Sequence, residues 1–230
     1  MKVPSKLGLY ASFVVDGFSV FSLLRSLRGL DRRNPEELVD LALETSCIRP
    51  LQDRAEFLEL VDLIAARDLK NVLEIGTFRG GTLFVFARLS QPDAILISVD
   101  LPGSVFGTLF RKIQEPLFKR FTRGEQRLLL LREDSHADQT RSKVALALKG
   151  PLDFLFIDGD HTYEGVTLDF QMYSPLVGKG GMVVFHDIVE RSQSDYGVTR
   201  FWNETKARFK HREIYSSDSS KAMGIGVLWM

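Results

Sequence analysis

A chain of 230 residues, 44% hydrophobic and 26% charged, is long enough for one α/β domain with an extension and too rich in apolar residues for gross disorder. Its thirty basic and thirty acidic residues cancel, which argues against a nucleic-acid partner, since a polyphosphate backbone is met by a positive field. The single cysteine, Cys47, excludes an intrachain disulfide and favours a reducing, cytoplasmic setting.

In the opening segment Tyr10, Phe13, Val14, Val20, Phe21, Leu24 and Leu27 recur near helical spacing, and Ser12, Asp16, Ser19, Ser22 and Ser26 fall largely on the other side. This reads as a helix packed on the main domain or on a second subunit; a lid or a membrane-surface helix are the alternatives. Asp16, Arg25 and Arg28 interrupt the stretch from Leu7 to Leu30, so no transmembrane span is expected, and Asp16 breaks the apolar core a signal peptide needs. Asn34-Pro35-Glu36-Glu37 has the form of a helix start, with a cap, a proline in the first turn and acids at the positive end of the dipole. A further helix is expected from about Gln52 to Arg67. Residues 1–70 therefore form a helical extension, read as lid, packing or oligomer contact, and 71–230 the main domain.

From Asn71 onward short apolar runs appear at Val72–Ile75, Ile95–Val99, Leu128–Leu131, Phe154–Ile157 and Met182–Phe185. Segments long enough for helices separate them, so the pattern predicts βαβ units in a mostly parallel sheet, covered on both faces. Leu101–Arg127 is a long insertion with Phe106, Phe110, Phe118 and Phe121, read as an apolar lid or a core helix. At the end, His211–Ser216 and Ile225–Trp229 are expected to pair as antiparallel strands.

The strongest local signal is Val72-Leu73-Glu74-Ile75-Gly76-Thr77-Phe78-Arg79-Gly80-Gly81, a strand, a glycine turn and a helix start. Gly76 is read as letting backbone pass close to a ligand, and Gly80 or Gly81 as letting the helix approach the strand. Asp100, at the end of the second strand, can accept hydrogen bonds from both ribose hydroxyls of a nucleoside. The dinucleotide fingerprint G-x-G-x-x-G is not met, because Glu74 stands two residues before Gly76. A buried carboxylate there repels a pyrophosphate but suits the ammonium group of a cationic amino-acid ligand.

The E-x-G-x-x-x-G loop, the acid after the second strand and the stretch Phe156-Ile157-Asp158-Gly159-Asp160-His161-Thr162-Tyr163-Glu164-Gly165-Val166 resemble class I methyltransferases. Gly180-Gly181, Phe185-His186-Asp187 and Gly224-Ile225-Gly226 also fit, so the resemblance covers about Asn71 to Met230. It points to the small-molecule O-methyltransferase branch that includes cephalosporin-hydroxylase-like proteins and macrolide-sugar O-methyltransferases. It implies a Rossmann-like α/β fold, with a seven-stranded sheet whose last strand is antiparallel. It implies S-adenosylmethionine as cofactor and a small-molecule acceptor with a hydroxyl group, a sugar or a natural-product scaffold. By the same resemblance Glu74, Gly76 and Thr77, with Gly80 behind them, line the methionine end of the cofactor. Asp100 holds the ribose, Asp134 and Ser135 sit at the adenine edge, and Asp158 borders cofactor and metal alike. Asp134 has a plainer reading as a cap for a helix starting near His136, and Asp160 as a cap for one starting near Thr162.

Three of the four histidines, His136, His161 and His186, fall just beyond expected strand ends, where open α/β sheets bind ligands. Methyl transfer to oxygen needs alignment and removal of the hydroxyl proton. Histidine suits the second task, because its ordinary pKa of about 6.5 leaves it mostly neutral at pH 7. In metal-dependent relatives the Asp that opens D-x-x-H binds metal and its His is the base, which maps onto Asp158 and His161. Two adjacent acids usually complete that site; here the pair is His186-Asp187. The expected ligands of a divalent cation are thus Asp158, His186 and Asp187, and the imidazole shifts preference from magnesium towards manganese, zinc or iron. His161 and His186 also have plainer readings, as a structural residue and as a group orienting Asp187. A non-catalytic binding protein that keeps the fold and a nicotinamide-dependent oxidoreductase are the rival readings. Glu74 and the single-glycine turn count against the latter.

Overall fold

A computed structural model describes residues 19–27, 34–102, 114–190, 196–218 and 223–230. Helices α1 (Pro35–Glu44) and α2 (Arg54–Ala65) precede β1 (Asn71–Ile75), α3 (Gly81–Leu89), β2 (Ile95–Val99) and β3 (Arg127–Leu131). Then come α4 (Asp138–Ala147), β4 (Leu152–Ile157), α5 (Tyr163–Tyr173), β5 (Val177–His186), α6 (Val198–Thr205), β6 (Lys210–Ile214) and β7 (Ile225–Trp229). The seven strands form one sheet in the order β3-β2-β1-β4-β5-β7-β6. Every pairing is parallel except the two made by β7, which inserts antiparallel between β5 and β6. This is the expected Rossmann-like sheet.

The alternation of side chains along each strand divides the core in two. Val72, Phe154, Phe156, Val184 and Val227 face a cluster with α1, α2 and α3. Leu73, Ile75, Leu155, Ile157, Val183 and Phe185 face one built with Val144 of α4, Val166 of α5, and Phe201 and Trp202 of α6. Both faces are covered, so neither strand parity can be polar, and the strands read as continuous apolar runs. Phe201 and Trp202, 4% and 1% exposed, are core residues.

The helix starts follow local rules. The Asn34 side chain accepts from the Glu36 amide and Asp53 from those of Ala55 and Glu56. Thr162, not Asp160, caps α5 by accepting from the Gly165 amide; Asp160 forms the turn before it, accepting from the Thr162 amide. Asp134 likewise accepts from the His136 amide, but α4 begins only at Asp138.

The extension is bound to the domain. Leu38, Val39, Ala42, Cys47, Ile48, Phe57, Leu60, Val61 and Ile64 are all buried in the first cluster. On α2 the fully buried Glu56 accepts from the amides of Ser216 and Gly224, so it clamps both ends of the β6–β7 connection. Residues 19–26 are helical, with Val20, Leu23, Leu24 and Leu27 turned to the core. Here the expected stripe is corrected: Phe21 is 69% exposed and Leu23, off the stripe, is 1% exposed. The i, i+3, i+4, i+7 spacing fits 20, 23, 24 and 27 better than a stripe through 21. Tyr10, Phe13, Val14, Phe106 and Phe110 lie outside the described residues. Within the insertion, 114–118 is helical and Phe118 and Phe121 are fully buried. Among the described residues no helix is long and apolar enough to cross a membrane.

Candidate active site

Strand order reverses between β1 and β4, and ligands of open α/β sheets bind where it does. The ladder carries on just past the strand ends: Gly76 donates to the Val99 carbonyl, Asp158 to that of Ile75 and Asp100 to that of Leu131. Gly76, Asp100 and Asp158, distant in sequence, therefore stand side by side. They open into a cleft of about 1060 Å³, which Thr77, Asp134, Ser135, His136, His161, His186 and Asp187 also line.

Gly76 lines the cleft at φ +87°, and a Cβ on it would lie 2.0 Å from the Asp158 carbonyl oxygen, so its lack of a side chain also makes room for the β4 loop. Gly80, at φ +86°, faces the Phe118 ring, and Gly81 faces Ile48 and Pro50. The close approach is to the insertion and the extension, not between helix and strand.

Glu74 is fully buried and does not line the cleft; Thr77 and Thr82 stand between. The Thr82 hydroxyl donates to Oε1 at 2.5 Å, while Oε2 has no hydrogen-bond partner. Burial pushes this carboxyl up to about 8, against the hydrogen bonds from Thr82 and Thr77. Asp100 is held by the Leu101 amide and faces Arg132 at 3.8 Å. Beneath His136 lies Asp169, fully buried and 3.3 Å from its Nε2; burial pushes the Asp169 carboxyl up to about 6.

At the ends of β4 and β5 two carboxylates and two imidazoles converge. His161 Nε2 is 3.3 Å from Asp158 and 3.2 Å from Asp187. His186 Nδ1 is 3.3 Å from Asp158 and 3.5 Å from Asp187. Asp187 sits in the left-handed region at φ +63°, a strained backbone held at the site, and accepts from the Tyr196 hydroxyl at 2.7 Å. The Tyr196 ring stacks on His161. Asp158, His161 and Asp187 offer ligand atoms within 4.8 Å of one another, so His161, expected as the base, also stands in a ligand position. His186, 3% exposed, lines the cleft beside both carboxylates.

Burial disfavours charge throughout this cluster, but the neighbours outweigh it. Asp158 and Asp187 hold His161 up at about 9 and His186 at about 10. The imidazoles in turn hold both carboxyls below the usual carboxylate range. Each imidazole binds its proton more tightly folded than unfolded, so its stabilisation is complete below its ordinary pKa and is lost as pH rises through about 9 to 10. Protonated Glu74 acts in the same direction, up to about 8. The depressed carboxyls contribute above their ordinary pKa of about 4 and lose it in acid. Thermal unfolding in a chelator is therefore expected to peak at about pH 4–6.5 and decline steadily towards pH 10; a midpoint flat from pH 6 to 10 would contradict this charge assignment.

Sequence reading did not single out Tyr196, or the stretch Arg49–Gln52 that forms a wall of the cleft. Pro50 packs against Gly81, a contact only the fold creates. No local motif marks these positions.

A profile of a methyltransferase-domain family matches residues 73–188, just over half of the chain. The chain belongs to the class I methyltransferases. Its fold recurs in the O-methyltransferase of Bacillus cereus solved with S-adenosylhomocysteine: TM-score 0.57, 20% identity, 85% of this chain and 90% of that one. It recurs in TomG of Streptomyces achromogenes, an O-methyltransferase of tomaymycin synthesis solved with S-adenosylmethionine: TM-score 0.60, 18% identity, 86% and 90% covered. A third likeness is to CalS11, a TDP-rhamnose 3′-O-methyltransferase of calicheamicin biosynthesis: TM-score 0.55, 16% identity, 91% and 93% covered. At these identities the likeness is one of fold. An uncharacterized protein of Acanthamoeba polyphaga mimivirus is 33% identical over 124 residues. That stretch is 53% of this chain and 52% of the viral one, so the methyltransferase spans about half the length of the curated relative it matches.

Proposed function

We propose that this protein transfers a methyl group from S-adenosylmethionine to a hydroxyl oxygen of a small molecule, a sugar or natural-product scaffold, with help from a divalent cation. One observation carries the reading. A turn and acid suited to a nucleoside, Gly76 and Asp100, share a cleft with the Asp158, His161, His186 and Asp187 cluster. TomG, described as involved in tomaymycin synthesis, and CalS11, described as a TDP-rhamnose 3′-O-methyltransferase of calicheamicin biosynthesis, support the class of acceptor.

The residues fit the cofactor. A buried carboxyl with an unpartnered oxygen, raised to about 8, lacks positive charge nearby, and a methionyl ammonium held near Thr77 and Thr82 would supply it. Asp100 would accept from the ribose hydroxyls, and Asp134 and Ser135 would border the adenine. When bound, S-adenosylmethionine supplies a methyl group already activated on a sulfonium.

His161 is the proton acceptor of this proposal. With its proton held to about 9 it cannot act as a base at neutral pH until other positive charge reaches Asp158 and Asp187. Asp158 and Asp187 would hold a divalent cation, which would supply that charge and Lewis acidity at the acceptor oxygen. With His186 as a third ligand the site would favour manganese, zinc or iron over magnesium. The single cysteine favours the cytoplasm as its working place.

Calorimetry tests the reading. The expected result is one-to-one binding of S-adenosylhomocysteine and no competition from reduced nicotinamide cofactor. No binding, or tighter binding of the nicotinamide, overturns it.

A further inference from the structure

The geometry points to Gln52 as a positioning residue of the reacting centre, reaching from the helical extension to set the Asp158 carboxylate. The inference rests on the function proposed above. Gln52 lies outside the stretch that matches the methyltransferase family, 73–188. Its backbone is pinned on both sides: Pro50 is buried against Gly81, and Asp53 caps α2. The Gln52 Nε2 donates to Asp158 Oδ2 at 3.2 Å.

The chemistry fixes which end of the amide faces the cleft floor. A carboxylate only accepts hydrogen bonds, so the amide must turn its nitrogen to Asp158 and its oxygen away. With Oδ2 held by Gln52, Oδ1 is the oxygen presented to His161 and His186, each 3.3 Å away. Without the amide the carboxylate loses its hold on Oδ2 and is fixed only through Oδ1, so its plane is less well determined. Groups behind a metal-binding carboxylate commonly serve this purpose.

A purely structural role is disfavoured by the other end of the same side chain. Gln52 Oε1 is buried with no hydrogen-bond partner, an arrangement that destabilises the fold. A residue retained for packing would be better replaced by an apolar one of similar length. Fold stability and site chemistry should therefore respond in opposite directions to its removal.

Gln52→Met keeps the length and removes the amide. In the full chain loaded with S-adenosylhomocysteine, the expected result is an Mn²⁺ affinity weaker by roughly 10–100-fold, a cofactor affinity within about twofold of the parent, because Met keeps the length and volume of this part of the cleft wall, and a melting temperature unchanged or raised. Unaltered Mn²⁺ affinity overturns the role. A melting temperature that falls together with cofactor affinity also overturns it, because Gln52 is then structural. If the parent chain takes no Mn²⁺, the crystal structure of Gln52→Met decides: a turned Asp158 carboxylate supports the role and an unmoved one refutes it. Failure of the parent chain to bind S-adenosylhomocysteine defeats the proposed function, whereas a Gln52→Met chain that binds it and keeps Asp158 in place defeats only this inference.

Discussion

Gly76→Ala is expected to lower stability by about 4 kcal/mol, on the order of 10 °C in melting temperature, and to remove binding of S-adenosylhomocysteine. Two effects add. The residue sits at φ +87°, where any side chain costs roughly 1–2 kcal/mol. The new Cβ would also lie 2.0 Å from the Asp158 carbonyl oxygen and 2.8 Å from the Gly159 nitrogen, backbone that cannot give way as a flexible side chain does. To relieve the contact the β4 loop must move, and that loop carries Asp158 and His161. Gly150→Ala is the control: its Cβ meets only the Asn71 amide nitrogen at 3.8 Å, so stability should change by no more than about 0.5 kcal/mol. Thermal unfolding with and without the ligand measures both. A Gly76→Ala protein as stable as the parent would mean that the two loops do not approach each other as described.

The second large effect falls on chemistry. His161→Ala should reduce turnover by about 10²–10⁴-fold, the usual contribution of a positioned base, and leave cofactor affinity intact. The side chain is 32% exposed and stacks on Tyr196, so its loss leaves no deep cavity. His186 differs: its side chain is 3% exposed between two carboxylates, so removing it strands buried negative charge and should cost stability as well. Steady-state kinetics with an acceptor the parent chain methylates, alongside calorimetry of both variants, separates the two. Turnover by His161→Ala within threefold of the parent removes His161 from the mechanism.

The strands were legible because burial on both sheet faces forces continuous apolar runs, and all five runs lie within β1 to β5. The ends were less so. β5 begins at Val177, five residues before the apolar run, because Gly178, Gly180 and Gly181 carry no side chains to mark a strand. The helix after Asn34 was legible from its cap and first-turn proline, but the stripe before it was misplaced by Phe21, since hydrophobicity alone does not say which of two neighbouring faces meets the core.

The sequence by itself determined the element order, the glycine turn after β1, and the carboxylates and histidines that follow the strands, because these depend on local periodicity and on residue chemistry at fixed offsets. Only the tertiary structure decided that β7 inserts between β5 and β6, that Gly76 makes room for Asp158, that His161 and His186 share the same two carboxylates, and that Gln52 reaches Asp158 across 106 positions of sequence. Those relations are distances between segments joined by no local pattern, and they exist only once burial of the two apolar faces has fixed which strand ends lie side by side.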